Sequence, residues 1–170
     1  MSESTITKKA IALAFKQVME EKSFDKITVH DITSKCGLNR QTFYYHFEDR
    51  HDLMNWIYYN EVFLPLAEVL TEENYHDSFL IMFEKMYREK NFYKNALSMS
   101  SEYSFKDYLY SILESLVEDI SKQKKESIEV CFYAHGLQGI IVAWIKKGMP
   151  YSPSEMAKQI TEIILRVKTI

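Results

Sequence analysis

Apolar positions along this chain recur at helical spacing from one end to the other, and alternation of the strand type is hard to find. The first periodic stretch, TITKKAIALAFKQVME over 5–20, has its clearest apolar stripe at Ile6, Ala10, Leu13 and Ala14, with Gln17 and Val18 continuing it less cleanly. The segment EKSFDKIT then breaks the pattern, and Phe24 and Ile27 are placed to anchor that connection on a core. In TVHDITSKCGLNRQTFYYHF, Thr28 can cap a short helix, with Asp31 three positions on as a stand-in for the capping-box acid. Val29, Ile32 and Cys36 form its inner face, and Gly37 supplies the exit. Asn39 can cap the next helix, with Arg40, Gln41 and Thr42 in its first turn. Two short helices joined by CGLN have the proportions of a helix-turn-helix.

A longer helical stretch follows from about 50 to 70. Leu53, Ile57 and Phe63 recur in it, Trp56 suits an interhelix or inter-domain contact, and Pro65 demands a kink or break. Further helices are expected near 75–89, 91–97, 103–122 and 127–147. In KKGMPYSP, Gly148, two prolines and the potential cap Ser152 mark a stop and restart before a last helix over 153–168. The fold class is therefore all-α. A three-helix helix-turn-helix domain over 1–50 precedes a helical regulatory and dimerisation domain over 51–170.

Composition narrows the function. With 4 Gly and 3 Pro in 170 residues, turn material is scarce, which favours long helices over many strands. Cys36 and Cys131 are far apart and belong to no Cys-x-x-Cys, so neither a zinc site nor a disulfide framework is indicated. The start lacks an apolar signal stretch, and GLQGIIVAWIKKG is too short to span a bilayer. A reduced, cytoplasmic protein without membrane association is expected. No HExxH, phosphate loop or Ser-His-Asp order is present, so no catalytic residue, metal or cofactor is assigned. The net charge of −3 argues against nucleic acid until its distribution is considered. Residues 1–47 carry seven Lys/Arg against five Asp/Glu, and the remainder fourteen against nineteen. The small positive excess sits where the short helices are.

A helix entering the major groove reads base edges with side chains of its first turns. Arg40 suits guanine or phosphate, Gln41 suits adenine, and Thr42 can meet an edge through its hydroxyl or methyl. Tyr44, Tyr45 and His46 are placed for phosphate or base contact. Lys8, Lys9 and Thr28, near helix starts, are phosphate candidates. Leu38, Phe43 and Phe47 read as core. Periodicity alone leaves Arg40 and Gln41 equally consistent with a solvated helix surface, and one of Tyr44 and Tyr45 with packing.

The stretch ITVHDITSKCGLNRQTFYYHFEDRHDLM adds a more specific signal. With its flanks, from about Ile6 to Asn60, it resembles the DNA-binding domain of TetR/AcrR-type bacterial regulators. The resemblance implies that Asn39, Arg40, Gln41, Thr42, Tyr44, Tyr45 and His46 occupy recognition-helix positions. It also puts Arg50 where such proteins often carry a phosphate-binding lysine. Ser23 stands where the family commonly has Gly, and Thr33 where a small apolar residue is usual. The tail YAHGLQGIIVAWIKKGMPYSPSEMAKQI is similar to that of a subgroup regulating dihydroxyacetone kinase operons. That similarity implies a protein co-regulator resembling a subunit of the kinase.

Specific reading of a near-palindromic duplex implies a homodimer. Gly136, Gly139 and Ala143 would allow close approach of two copies. Ile140, Trp144, Met156, Ile160, Ile163, Ile164 and Val167 are expected to add apolar bulk. Tyr87, Tyr103, Tyr108, Cys131, His135 and Gln138 are the candidates for meeting an effector, either a ligand in an interior pocket, as in TetR-type repressors, or a partner protein.

Overall fold

The computed structural model describes residues 3–69, 74–98 and 104–167, apart from the side chains of Leu66, Glu68, Val69 and Val167. Among the described residues all regular structure is helical. Two compact units divide the chain, one ending at Tyr59 and the other beginning at Asn60.

The first unit contains α1 (Glu3–Glu21), a 3₁₀ turn (Phe24–Lys26), α2 (Val29–Cys36), α3 (Arg40–His46) and α4 (Arg50–Tyr58). A boundary at 50 would detach α4 from this unit, yet α4 packs on α1. Leu53, Met54 and Ile57 are fully buried, and the Trp56 ring meets Phe47 with centroids 5.9 Å apart. Trp56 thus makes an interhelix contact within the first unit.

The buried face of α1 keeps only part of the expected stripe. Ala14 and Val18 are buried, but Ile11, Phe15 and Met19 join them in the core, while Ile6, Ala10 and Leu13 are exposed. The two stripes overlap and share the helical period, but the one through Ile11 and Phe15 presents a ring and longer side chains to the core. It removes more apolar area from water, and area decides the rotation.

The second unit begins as α4 loosens. Residues Tyr59–Phe63 form a π turn, and α5 (Leu64–Val69) follows. Pro65 lacks an N–H, and its ring would press on the carbonyl four residues earlier, so a widened turn just before it relieves the clash. Next come α6 (Tyr75–Arg88), α7 (Lys90–Ala96), α8 (Phe105–Ser121), α9 (Ile128–Lys146) and α10 (Pro153–Val167). Helix α10 packs on α6 and α8, and α9 on α8 and α7. Phe79, Phe83, Leu109, Leu113, Leu137, Ile141, Trp144 and Ile160 fill the core.

Ser104 and Ser127 cap α8 and α9 by accepting backbone N–H groups. The α9–α10 joint is built as its sequence suggests. Gly148, at φ +79°, and Met149, at φ +59°, turn the chain, and the Met149 N–H closes on the Trp144 carbonyl. Trp144 Nε1 donates to the Tyr151 carbonyl at 3.0 Å. Ser152 and Glu155 then form a reciprocal capping box.

By length and composition α9, at 19 residues, is apolar enough to cross a membrane, because the helix extends well beyond the GLQGIIVAWIKKG run that is too short by itself. Its packing on α8 is sealed by Gln138, whose Nε2 donates to the Lys106 carbonyl at 2.7 Å. A third of its span is buried within the chain, as in a bundle helix with one open face.

Candidate nucleic-acid interface

Helices α2 and α3 are 8 and 7 residues long, too short to persist alone in water. Their ends are therefore held one by one. Thr28 Oγ1 accepts the Asp31 N–H at 3.1 Å, and Asp31 Oδ2 accepts the Thr28 N–H at 2.8 Å. Lys22 Nζ reaches Asp31 at 2.7 Å, and Lys35 reaches Glu21 at 3.1 Å, so two ion pairs join α2 to α1 and the residue just beyond it. The Lys22 contact, followed by the hydrogen bonds from Thr28, holds the Asp31 carboxyl well below the usual carboxylate range. Gly37 leaves α2 at φ +69°, a left-handed conformation that a side chain would strain. Asn39 Oδ1 then accepts the Thr42 N–H at 2.8 Å and opens α3.

One face of α3 is pinned inward. Phe43 is fully buried, Phe47 nearly so, and their ring centroids lie 5.9 Å apart. The other face is open: Arg40, Gln41, Tyr44 and Tyr45 are exposed, Tyr45 by 83 %. Arg40 Nη2 donates to Tyr44 Oη at 3.1 Å, and the Tyr45 ring meets the edge of His46 at 4.9 Å. Chemically this is a short rod carrying a guanidinium, a carboxamide and two phenols toward solvent. That donor and acceptor set suits phosphates and base edges.

Several expected site residues have other work. Thr28 and Asn39, although exposed, spend their side-chain oxygens on capping, and the Thr42 hydroxyl donates to Asn39 Oδ1 at 3.0 Å. Half-buried His46 lies beside Tyr45 at the end of α3. Lys8 Nζ sits 5.4 Å from the Phe47 ring centroid, and Lys9 is exposed.

Arg50 is turned away from the role its position implies. Its Nη1 donates to the Phe24 carbonyl at 2.8 Å and to the Ile27 carbonyl, and its guanidinium lies 4.9 Å from the Phe24 ring centroid. This one nitrogen bridges the start of α4 to the turn before α2. Nothing in the spacing reveals this, because the acceptors are backbone carbonyls 23 and 26 residues earlier.

The dimer candidates divide by burial. Trp144, Met156, Ile160 and Ile164 are inside the second unit and serve its core instead of an outer face. They close the seams where α6, α8, α9 and α10 meet. Gly136, Gly139, Ile140 and Ala143 lie exposed on α9, and Ile163 is half-buried on α10. The Val167 side chain is outside the described residues. A Cβ built at Gly136 or Gly139 meets nothing within 4 Å, so no contact among the described residues requires glycine there. Large apolar groups extend the same α9 surface, with Ile128 83 % and Phe132 72 % exposed.

The effector candidates do not converge on an interior site. Tyr87 is exposed on α6, Tyr108 is half-buried on α8, Gln138 binds the Lys106 carbonyl, and Tyr103 is outside the described residues. Cys131 and His135 do come together, around a residue that spacing did not single out. The Tyr110 ring lies 4.4 Å from His135, and its hydroxyl lies 3.5 Å from Cys131 Sγ and 2.8 Å from Glu114. The contacts with Cys131 and then Glu114 raise the Tyr110 phenol above its ordinary range. Tyr110 and Glu114 do stand four apart on one helix, but in a chain with 12 Tyr and 24 acids that signal is too common to notice. Among the described residues no group of three or more His, Cys, Asp or Glu is arranged for a metal.

Comparison with known proteins adds to this geometry. Residues 11–56 match the family described as bacterial regulatory proteins, tetR family, and residues 73–166 match a transcriptional regulator C-terminal region of the same class. The HTH-type dhaKLM operon transcriptional activator DhaS of Lactococcus lactis is 27 % identical over 129 residues, covering 72 % of this chain and 67 % of that protein. A solved structure of a dihydroxyacetone kinase operon activator DhaS superposes with a TM-score of 0.78 at 22 % identity, covering 98 % of each chain. NalD, the secondary repressor of the MexAB-OprM efflux pump in Pseudomonas aeruginosa, gives 0.69 at 18 % identity over 97 % of each. At those identities the two structures speak for the fold. The matched families and relatives are transcription regulators, not enzymes.

Proposed function

The chain belongs to the tetR family of bacterial regulatory proteins, and on that premise we propose that it activates a dihydroxyacetone kinase operon from a near-palindromic operator, as a homodimer working with a protein co-regulator. The observation that carries the DNA-binding part is the outward face of α3. Arg40, Gln41, Tyr44 and Tyr45 stand in solvent on a helix whose opposite side is locked by Phe43 and Phe47. Phosphate contacts from such a face position the helix, and base edges supply the specificity. A regulator of this kind meets the chromosome in the cytoplasm.

The operon assignment is supported by the sequence relative whose name states that activity. A protein co-regulator suits the second unit better than an interior ligand does, because Tyr87, Cys131 and His135 face solvent. The open strip of Gly136, Gly139, Ile140 and Ala143 suits a second copy of α9, since small residues let two helices approach closely.

Footprinting on the promoters of the source genome tests the whole reading. Protection of paired half-sites upstream of a dihydroxyacetone kinase operon is expected, with affinity falling steeply as salt rises. Transcription from that promoter should rise further when the purified dihydroxyacetone-binding kinase homologue is added. Protection only at unrelated promoters would overturn the operon assignment. Release from DNA by a small metabolite, without any added protein, would replace the co-regulator with a ligand-controlled repressor.

A further inference from the structure

The polar groups of the α3 face are not equally available. Asn39 and Thr42 are committed to each other at the helix start, with Asn39 Oδ1 accepting both the N–H and the hydroxyl of Thr42. Arg40 is engaged differently. Its Nη2 donates to Tyr44 Oη at 3.1 Å, and its guanidinium carbon lies 5.5 Å from the Tyr44 ring centroid. Tyr44 is in turn braced, its ring meeting Phe43 edge-on at 5.5 Å and 86°. Phe43 is fully buried against Phe47. A line of contact therefore runs from the core, through one ring and one hydroxyl, to a guanidinium at the surface.

One donated hydrogen leaves a guanidinium four further N–H groups in a rigid plane. Guanine offers O6 and N7 side by side in the major groove, an acceptor pair that two parallel N–H groups match. A free surface arginine has to be ordered when it binds, and that ordering weakens the contact. Here the ordering is done in advance by the residue one helical turn along.

We infer that Arg40 is the guanine-reading residue of this protein and that Tyr44 is its positioning residue, acting through the guanidinium instead of contacting phosphate on its own account. The inference rests on the DNA-binding reading above and adds the base that is read and the residue that prepares the reader. Gln41 and Tyr45, both exposed, stand outside the pair.

Duplexes enriched from a random pool by the full-length protein define its preference at each position of the half-site. The same measurement is then made with Arg40→Lys, which keeps the charge and loses the fork, and with Tyr44→Phe, which keeps the ring and loses the hydroxyl. Both positions are exposed, and an unchanged melting temperature shows that each variant is folded. For Arg40→Lys, preference at one G·C pair per half-site should fall by roughly 5- to 150-fold, with the slope of affinity against salt unaltered. For Tyr44→Phe, preference should weaken at that same pair and at no other.

An even loss across all duplexes for Arg40→Lys would make Arg40 a phosphate contact and overturn the assignment. Wild-type preferences in Tyr44→Phe would remove the positioning role. If the wild-type protein enriches no common sequence, DNA reading itself fails and the pair falls with it.

Discussion

The first unit holds its two short reading helices, α2 and α3, by their ends, whereas the second holds its long helices, α6 and α8 to α10, by their sides. In the first, α2 and α3 depend on a capping box, a left-handed glycine and an asparagine cap, and an arginine nitrogen ties α4 to the turn before α2. In the second, helices of up to 19 residues lie against one another through rows of Phe, Leu and Ile. The difference shows where polar side chains remain spare. Once the caps of the first unit are assigned, the polar groups left over on α3 stand out as candidates for an external partner. The second unit leaves over an apolar strip on α9, and its meaning depends on what lies against it.

The comparison can be broken most severely at Phe43. Truncation to Ala should cost about 3–5 kcal/mol and collapse the first unit, because the ring is the main inward anchor of α3. Urea unfolding followed by circular dichroism should then show an early transition that the wild-type protein lacks. A single unaltered transition would mean that α3 is held mainly by something else.

Arg50→Met sharpens the contrast. Methionine keeps an aliphatic stem but offers no donor to the carbonyls of Phe24 and Ile27, so stability should fall by roughly 1.5–3 kcal/mol. The salt dependence of DNA affinity should stay as it was. A salt slope reduced by about one, with stability intact, would return Arg50 to the phosphates.

On the second unit, Ile140→Glu places a charge on the open α9 strip at an exposed position. The dimer should dissociate at least about tenfold more readily, a change of about 1.4 kcal/mol, with helicity unchanged. Sedimentation velocity across a dilution series measures it, and an unmoved equilibrium would take dimerisation away from this strip.

The smallest effects belong to the α2 cap. Thr28→Ala should cost about 1 kcal/mol in thermal unfolding. Asp31, held ionised by Lys22 and Thr28, has a folded pKa below its unfolded value. Its contribution is therefore complete above about pH 4, where the unfolded carboxyl is also ionised, and is lost as pH falls toward the lowered folded value. Asp31→Asn should flatten that acid limb, and an acid limb of unchanged depth would place the titrating group elsewhere.

Much of the first unit could be read from its sequence because its determinants are local. Thr28 with Asp31, Gly37, Asn39, and later Ser152, act within three or four residues of where they stand, and each is found capping or turning a helix. The break before Pro65 is of the same kind. What could not be read depends on residues far away in sequence. The rotation of α1 is chosen by total buried area, so Ile6 and Leu13 face out while Ile11 and Phe15 face in. Arg50 finds backbone acceptors that carry no signature. Trp144, Met156, Ile160 and Ile164 share a helical period with residues that face outward, and only the packing of α6 and α8 decides their side.

The indole of Trp144, tied to the Tyr151 carbonyl, gives the molecule a built-in optical probe. The chain has two tryptophans, and the other, Trp56, rests on Phe47 near the reading helix. Each half therefore carries one fluorophore of its own. Two single-tryptophan proteins would let the melting of either half, or a partner's arrival at it, be watched by emission colour alone, with no label attached.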